Sequence, residues 1–256
     1  MSDTAQASKT YSPADLKHPG VAPMARMLRR FALALGLEGT PFAVNGILKR
    51  RFWVRRNKLW EYARGLHSVL GSRFSAPAEK GAPPRVLDFG GAATLPIFSL
   101  AARGCEVLCL DIDSALCAWT NEVAKRRGWK LHASTHNLVT TPAPPAWGLF
   151  DAVISFSVLE HISKADQPLV LARLAELLKP GGVCALTFDF GSDAPVQDAL
   201  RDVAEVERLV AATRLDYLDG KPLTDTGERF GMDRRHPDRK FTFASVFLRK
   251  PEKMPA

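Results

Sequence analysis

Between Arg85 and Asp111 the chain reads RVLDFGGAATLPIFSLAARGCEVLCLD. A short apolar run ends in Asp88, two glycines follow at Gly90 and Gly91, and a helix-like segment runs to Arg103. Gly104 breaks that segment, and a second apolar run, Val107 to Leu110, ends in Asp111. This is strand, tight turn, helix, strand, with a carboxylate closing each strand. Such a unit belongs to a parallel sheet and presents a nucleotide-like ligand to the strand ends.

The rest of the chain supports an open α/β sheet. Strands are expected near 85–89, 105–110, 129–133, 150–156 and 182–189, and helices near 94–103, 114–127, 165–178 and 194–212. Asp113 or Ser114 suits the start of the second helix. Lys179-Pro180-Gly181-Gly182 reads as a stop before the next strand. Strands alternating with helices at this spacing imply a parallel sheet covered on both faces. Past residue 212 the pattern changes: a short strand is expected at 215–218, then a polar glycine- and proline-bearing stretch, then an alternating closing strand at 241–249.

Ahead of this domain, residues 1–22 read as a polar mobile tail. Residues 23–80 read as a helical, basic extension or lid, with helices over 23–37 and 43–70 and a linker at 75–84. The main domain spans 81–256. Charge separates the two regions. Residues 1–80 hold 14 Lys/Arg against 5 Asp/Glu, whereas 81–256 hold 21 against 22. The net charge of +8 therefore resides in the N-terminal third, as suits a surface for something anionic. The expected second helix carries Lys49, Arg50, Arg51, Arg55, Arg56, Lys58 and Arg64 with Trp53, Trp60 and Tyr62 between them. This reads either as a solvated face or as a lid for an anionic substrate or RNA. No apolar run approaches the roughly 20 residues that span a bilayer, and a cytoplasmic protein is expected. The four cysteines lack CxxC spacing, which points to buried thiols rather than a metal site.

Which ligand the glycine turn receives depends on its chemistry. The turn lacks the GxGxxG spacing of a pyrophosphate site and the GK[ST] of a P-loop. A carboxylate at Asp88 would repel a pyrophosphate and suits a cationic ligand. S-adenosylmethionine combines an adenosine, no phosphate and a cationic tail. Four segments, VLDFGGA (86–92), VLCLDID (107–113), FDAVISFSVLEHI (150–162) and LLKPGGVCALTF (177–188), together resemble the class I S-adenosylmethionine-dependent methyltransferases, with the methyltransferase 11/12-like groups nearest at 159–162 and 179–182.

The resemblance implies a Rossmann-like doubly wound seven-stranded sheet of order 3-2-1-4-5-7-6, its last strand antiparallel. It implies that Asp88, Gly90, Gly91 and Ala92 receive the methionine portion of the cofactor and that Asp111 holds the ribose. Ile112 and the Asn137-Leu138 pair would lie against the adenine, and Ser155 and Phe156 would border the sulfonium. The family's D-x-G-x-G-x-G pattern is altered here, with Ala92 and Thr94 in two glycine positions, and Asn137 stands where an acid is common. His161 is the expected base where the acceptor must lose a proton. Asp189 is a further candidate at the fifth strand's end, and no metal is expected. The expected reaction is methyl transfer to a small molecule or glycan, an anionic acceptor suiting the N-terminal cations. RNA and a catalytically silent interaction module are the alternatives.

Overall fold

The computed structural model describes residues 4–71, 83–231 and 237–252. Most of the linker expected at 75–84 lies outside them. Five parallel strands make the centre of the sheet: β4 (Arg85–Phe89), β5 (Glu106–Asp111), β6 (Leu131–Thr135), β7 (Phe150–Phe156) and β8 (Leu178–Phe190). The closing strand β10 (Thr242–Arg249) runs antiparallel to β8. The order is β6-β5-β4-β7-β8-β10, and the two-residue β9 (Asp216–Tyr217) pairs antiparallel with β10. Counted from β4, this is the expected 3-2-1-4-5-7-6 order. One strand of this sheet was not anticipated: β1 (Lys9–Thr10) shares the β10 edge, with Lys9 opposite Ser245.

Alternation along each strand divides two cores. Val86, Val107, Cys109, Ile154, Phe243 and Phe247 face one side of the sheet. Leu87, Leu110, Val153, Leu186, Val246 and Leu248 face the other, under α5 (Gln167–Glu176) and α6 (Val203–Thr213). Successive strand residues point to opposite faces, so central strands covered on both faces read as unbroken apolar runs. On the first side lie α1 (Ala22–Leu37), α2 (Arg56–Leu70), α3 (Leu95–Ala102) and α4 (Ser114–Arg127). The start of α4 is capped as expected, the Asp113 carboxylate accepting from the amides of Ala115 and Leu116. Gly128, at φ 65°, ends that helix behind three basic residues that suit its negative end. Helix α6 is shorter than expected. The Asp202 side chain caps it, and the Arg201 guanidinium holds the carbonyls of Ser192, Ala194, Val196 and Gln197 in the turns before it.

Two expectations for the N-terminal third are corrected. Residues 4–21 are not a loose tail. Ser8, Thr10, Tyr11 and Leu16 are buried, and the Tyr11 ring meets Trp60 edge-on at 5.2 Å. The segment is polar because it satisfies polar groups of α2: Asp15 accepts from Trp60 Nε1 at 2.9 Å, and the Ala7 carbonyl accepts from Arg64. The helix expected over 43–70 is also broken. Its first part is a hairpin of β2 (Phe42–Val44) and β3 (Ile47–Lys49). Asn45 and Gly46 turn it at φ 51° and 67°, the positive angles of a two-residue hairpin turn. Lys58 and Arg64 are buried, so the basic face assigned to that helix does not exist as one surface.

Candidate active site

The parallel strands end along one edge, where the turn after β4 lies. Asp88 is only 2% exposed. Its Oδ2 accepts from Gly91 N at 2.9 Å and from Cys109 Sγ at 3.1 Å. Burial pushes its pKa up to about 7; these two hydrogen bonds oppose the rise and the Asp111 charge adds to it. Gly90 needs to be glycine twice over. Its φ is 81°, and a Cβ would sit 2.5 Å from a Val158 methyl. A Cβ at Gly91 would meet the Asp88 carboxylate at 2.5 Å. Neither Ala92 nor Thr94, the two departures from the family pattern, has a positive φ. The left-handed residue is Ala93, at 60°. It is held by its amide donating to Thr120 Oγ1 at 2.7 Å and by Ala43 N donating to its carbonyl at 2.7 Å. The hairpin is thereby pinned to the glycine turn.

Asp111 ends β5. Its Oδ2 accepts from Ala92 N and its Oδ1 from Asp113 N, both at 3.0 Å. These bonds fix the carboxylate against the turn while the residue stays partly exposed. Beside it Ile112 is 74% exposed, an unsupported apolar surface next to a fixed carboxylate. Asn137 is exposed, and its Oδ1 accepts from Val139 N at 2.8 Å. The structure thus gathers Asp88, Gly90, Gly91, Ala92, Asp111 and Ile112 around one turn. It does not present all the other expected residues there. Leu138 is fully buried in the α5 core. Ser155 is buried, its hydroxyl donating to Phe89 O at 3.0 Å and tying β7 to β4. Phe156 is covered by α2, where a Cβ on Gly65 would lie 2.3 Å from its ring.

The first turns of α2 bring a polar cluster to the end of β7 that the sequence did not announce. Lys58 Nζ donates to Ser157 Oγ at 2.6 Å and lies 3.2 Å from Glu61 Oε1. Ser157 and Thr187 both donate to Glu61 Oε2, at 2.5 and 2.8 Å. Burial is the largest single influence and opposes the Lys58 charge, but Glu61, Tyr62, Glu160 and Asp189 together outweigh it, and the ammonium's pKa is raised. Ser157 adopts φ 55°, a strained conformation of the kind that clusters at functional sites. Glu160 is 2% exposed. Its Oε1 accepts from Asp189 N at 3.3 Å, and its Oε2 has no partner among the described residues. Burial and the Asp189 charge raise its pKa to about 8. Burial likewise lifts the Tyr62 phenol to about 12. His161 is exposed at the cluster's rim, and partial burial and the Lys58 charge lower its pKa, so it is a neutral imidazole near pH 7. Sequence reasoning placed Lys58 on a basic helix face, either solvated or turned to an anionic substrate. Its hydroxyl partner Ser157 lies 99 positions away, and only the fold reveals it. Of the tryptophans between the cations of that helix, Trp60 is buried and Trp53 is exposed.

All four cysteines are buried and unpaired, Cys109 as the Asp88 donor. A cavity of about 540 Å³ lined by Ser192, Arg201 and Asp238 holds none of the site residues.

Residues 86–182 match a family described as a methyltransferase domain. The tRNA 5-carboxymethoxyuridine methyltransferase of Escherichia coli K12 is 28% identical over 109 residues, which are 41% of this chain and 40% of that protein. The chain thus matches 40% of the length of that curated relative. Among solved structures, the N-methyltransferase NodS from Bradyrhizobium japonicum WM9, in complex with S-adenosylhomocysteine, superposes with a TM-score of 0.53 at 16% identity, over 75% of this chain and 86% of that one. The [4+2]-cyclase SpnF superposes with a TM-score of 0.58 at 14% identity, over 90% and 97%. The fold is therefore that of the class I methyltransferases, and it also carries an enzyme described by another chemistry.

Proposed function

We propose that this chain is an S-adenosylmethionine-dependent methyltransferase acting on a small-molecule or glycan acceptor. The observation that carries the reading is the pairing of a fixed, partly exposed Asp111 carboxylate with a 74% exposed Ile112 beside the glycine turn. A carboxylate held at that strand end suits a pair of ribose hydroxyls, and an exposed branched apolar side chain suits the face of an adenine. Asn137 lies beyond the neighbouring strand, where its amide is available to the base. Asp88, buried in the turn, would act on the amino-acid tail through the backbone it orders rather than by touching it. The family match over 86–182 agrees with this reading.

The bound cofactor supplies a methyl group on a leaving group that is already activated. The protein's share is alignment and exclusion of water. The hairpin anchored on Ala93 and the first turns of α2 would shape that enclosure. His161, neutral near pH 7, is in a state to accept a proton from the acceptor. Glu160 Oε2, buried without a partner among the described residues, carries the proton that the raised pKa retains near pH 7 and can donate it to an oxygen or nitrogen of the acceptor. Around Oε2 the carboxylates outnumber the single Lys58 ammonium, which weights the acceptor away from anionic molecules. The RNA alternative retains the likeness to a tRNA enzyme but loses the continuous basic helix on which it rested.

Calorimetric titration with S-adenosylmethionine and S-adenosylhomocysteine tests the cofactor. Saturable binding is expected, weakened about tenfold or more in Asp111→Ala by loss of charge-assisted hydrogen bonds. Absence of binding, or equal binding by wild type and variant, would overturn the assignment.

A further inference from the structure

One surface serves neither the strand ends nor the core. Of the eight large apolar side chains exposed among the described residues, five lie within residues 33–53: Leu33, Leu37, Ile47, Phe52 and Trp53. Contacts made by Gly36, Arg50 and Arg51 hold the segments that carry four of them side by side. Leu33 and Leu37 flank Gly36 on α1, and Gly36 abuts the Phe52 ring so closely that a Cβ there would lie 2.7 Å from it. Arg50 Nε donates to the Gly36 carbonyl at 2.7 Å, with its guanidinium over the Phe52 ring. Arg51 reaches the Ile47 carbonyl. Trp53, 66% exposed, continues the same segment.

Cations surround this patch. Residues 21–57 contain eight Lys/Arg and one acid, Glu38, and Glu38 is engaged by Arg127. Arg26, Arg30, Leu33 and Leu37 follow helical spacing along the exposed stripe of α1. Beside the stripe, a groove of about 570 Å³ between α1 and α3 has Met27 and Phe31 in its lining, with Arg26, Arg30 and Arg103.

We propose that α1 and the β2–β3 hairpin, with residues 50–53, form a docking face for an anionic lipid bilayer. The chemistry favours lipid over nucleic acid. Both would use the arginines, and Phe52 and Trp53 could stack on bases, but three of the five exposed apolar side chains, Leu33, Leu37 and Ile47, are aliphatic and offer no aromatic face. Branched aliphatics with a tryptophan and a cationic border are the composition of an interfacial element. The Arg26–Arg30–Arg103 groove would take headgroup phosphates. No helix among the described residues is long and apolar enough to cross a membrane, so the attachment is peripheral. The face is independent of the cofactor assignment, although Ala43 links it to the glycine turn.

Co-sedimentation of the full chain with phosphatidylcholine vesicles, with and without phosphatidylglycerol, tests this. Binding is expected only with the anionic lipid, falling about tenfold or more in Leu33→Glu/Leu37→Glu and again in Arg26→Glu/Arg30→Glu. Circular dichroism melting would establish that these surface variants fold. A second measurement needs no folded variant: brominated acyl chains should quench wild-type tryptophan fluorescence. No sedimentation with anionic vesicles, undiminished binding by the folded variants, or absent quenching overturns the proposal. Binding to a structured RNA with no vesicle binding overturns it in favour of a nucleic-acid surface.

Discussion

Ala93 concentrates the turn's strain in one residue. Its φ of 60° is a conformation that an L side chain resists, yet it sits one position away from each of the two residues where glycine was missed in the sequence. Ala93→Gly should raise stability by up to about 1 kcal/mol, since relief of the left-handed alanine slightly exceeds glycine's added unfolded-state entropy. Denaturant midpoints check this, and a clear loss of stability would show that the Ala93 methyl is a packing element instead. Gly90→Ala should do the opposite, because φ 81° and the Val158 contact at 2.5 Å both exclude a side chain; a loss of about 2 kcal/mol or more is expected. The contrast separates a residue's spelling in a motif from its conformation. The D-x-G-x-G-x-G pattern names four positions, and among Gly90, Ala92 and Thr94 only the first requires glycine here.

At the scale of elements, the β4–β8 units were legible because each strand is an apolar run ended by turn chemistry, and each helix has a local start or stop. The Asn45-Gly46 hairpin carried an equally local signal, but the apolar spacing across Ile47, Leu48 and Phe52 imitated a helix and prevailed over it. Burial of Lys58 and Glu61 was not legible, since it depends on Ser157 and Thr187 arriving from other strands. That buried pair makes α2 sensitive to single changes. Lys58→Met should destabilise the protein by about 3–5 kcal/mol, because Glu61 would be left charged and desolvated. The double variant Lys58→Met/Glu61→Leu should recover much of that loss. Thermal melts of both, with the single variant Glu61→Leu completing the cycle, would measure the coupling, and additive losses would mean that Glu61 is satisfied without Lys58 by its two hydroxyl donors.

For the whole molecule, two buried carboxyl groups with raised pKa values set the response to pH. Asp88 rises from 3.8 to about 7 and Glu160 from 4.5 to about 8, each mainly through burial. Between the unfolded and folded values the native state binds more protons than the unfolded chain, so stability falls as pH rises. The contribution is full below about pH 4 and is lost progressively up to about pH 8. Glu160→Gln keeps the acceptor for Asp189 N and removes one titration. Melting temperatures measured from pH 5 to 8 should decline less steeply in this variant than in wild type, the difference reaching a few degrees at about 2–4 °C per kcal/mol for a chain of this size. If the two slopes coincide, Glu160 is ionised throughout and its unpartnered oxygen is solvated in the native protein. That result would also withdraw it from the acceptor site, because an ionised carboxylate would have no proton to donate to a substrate.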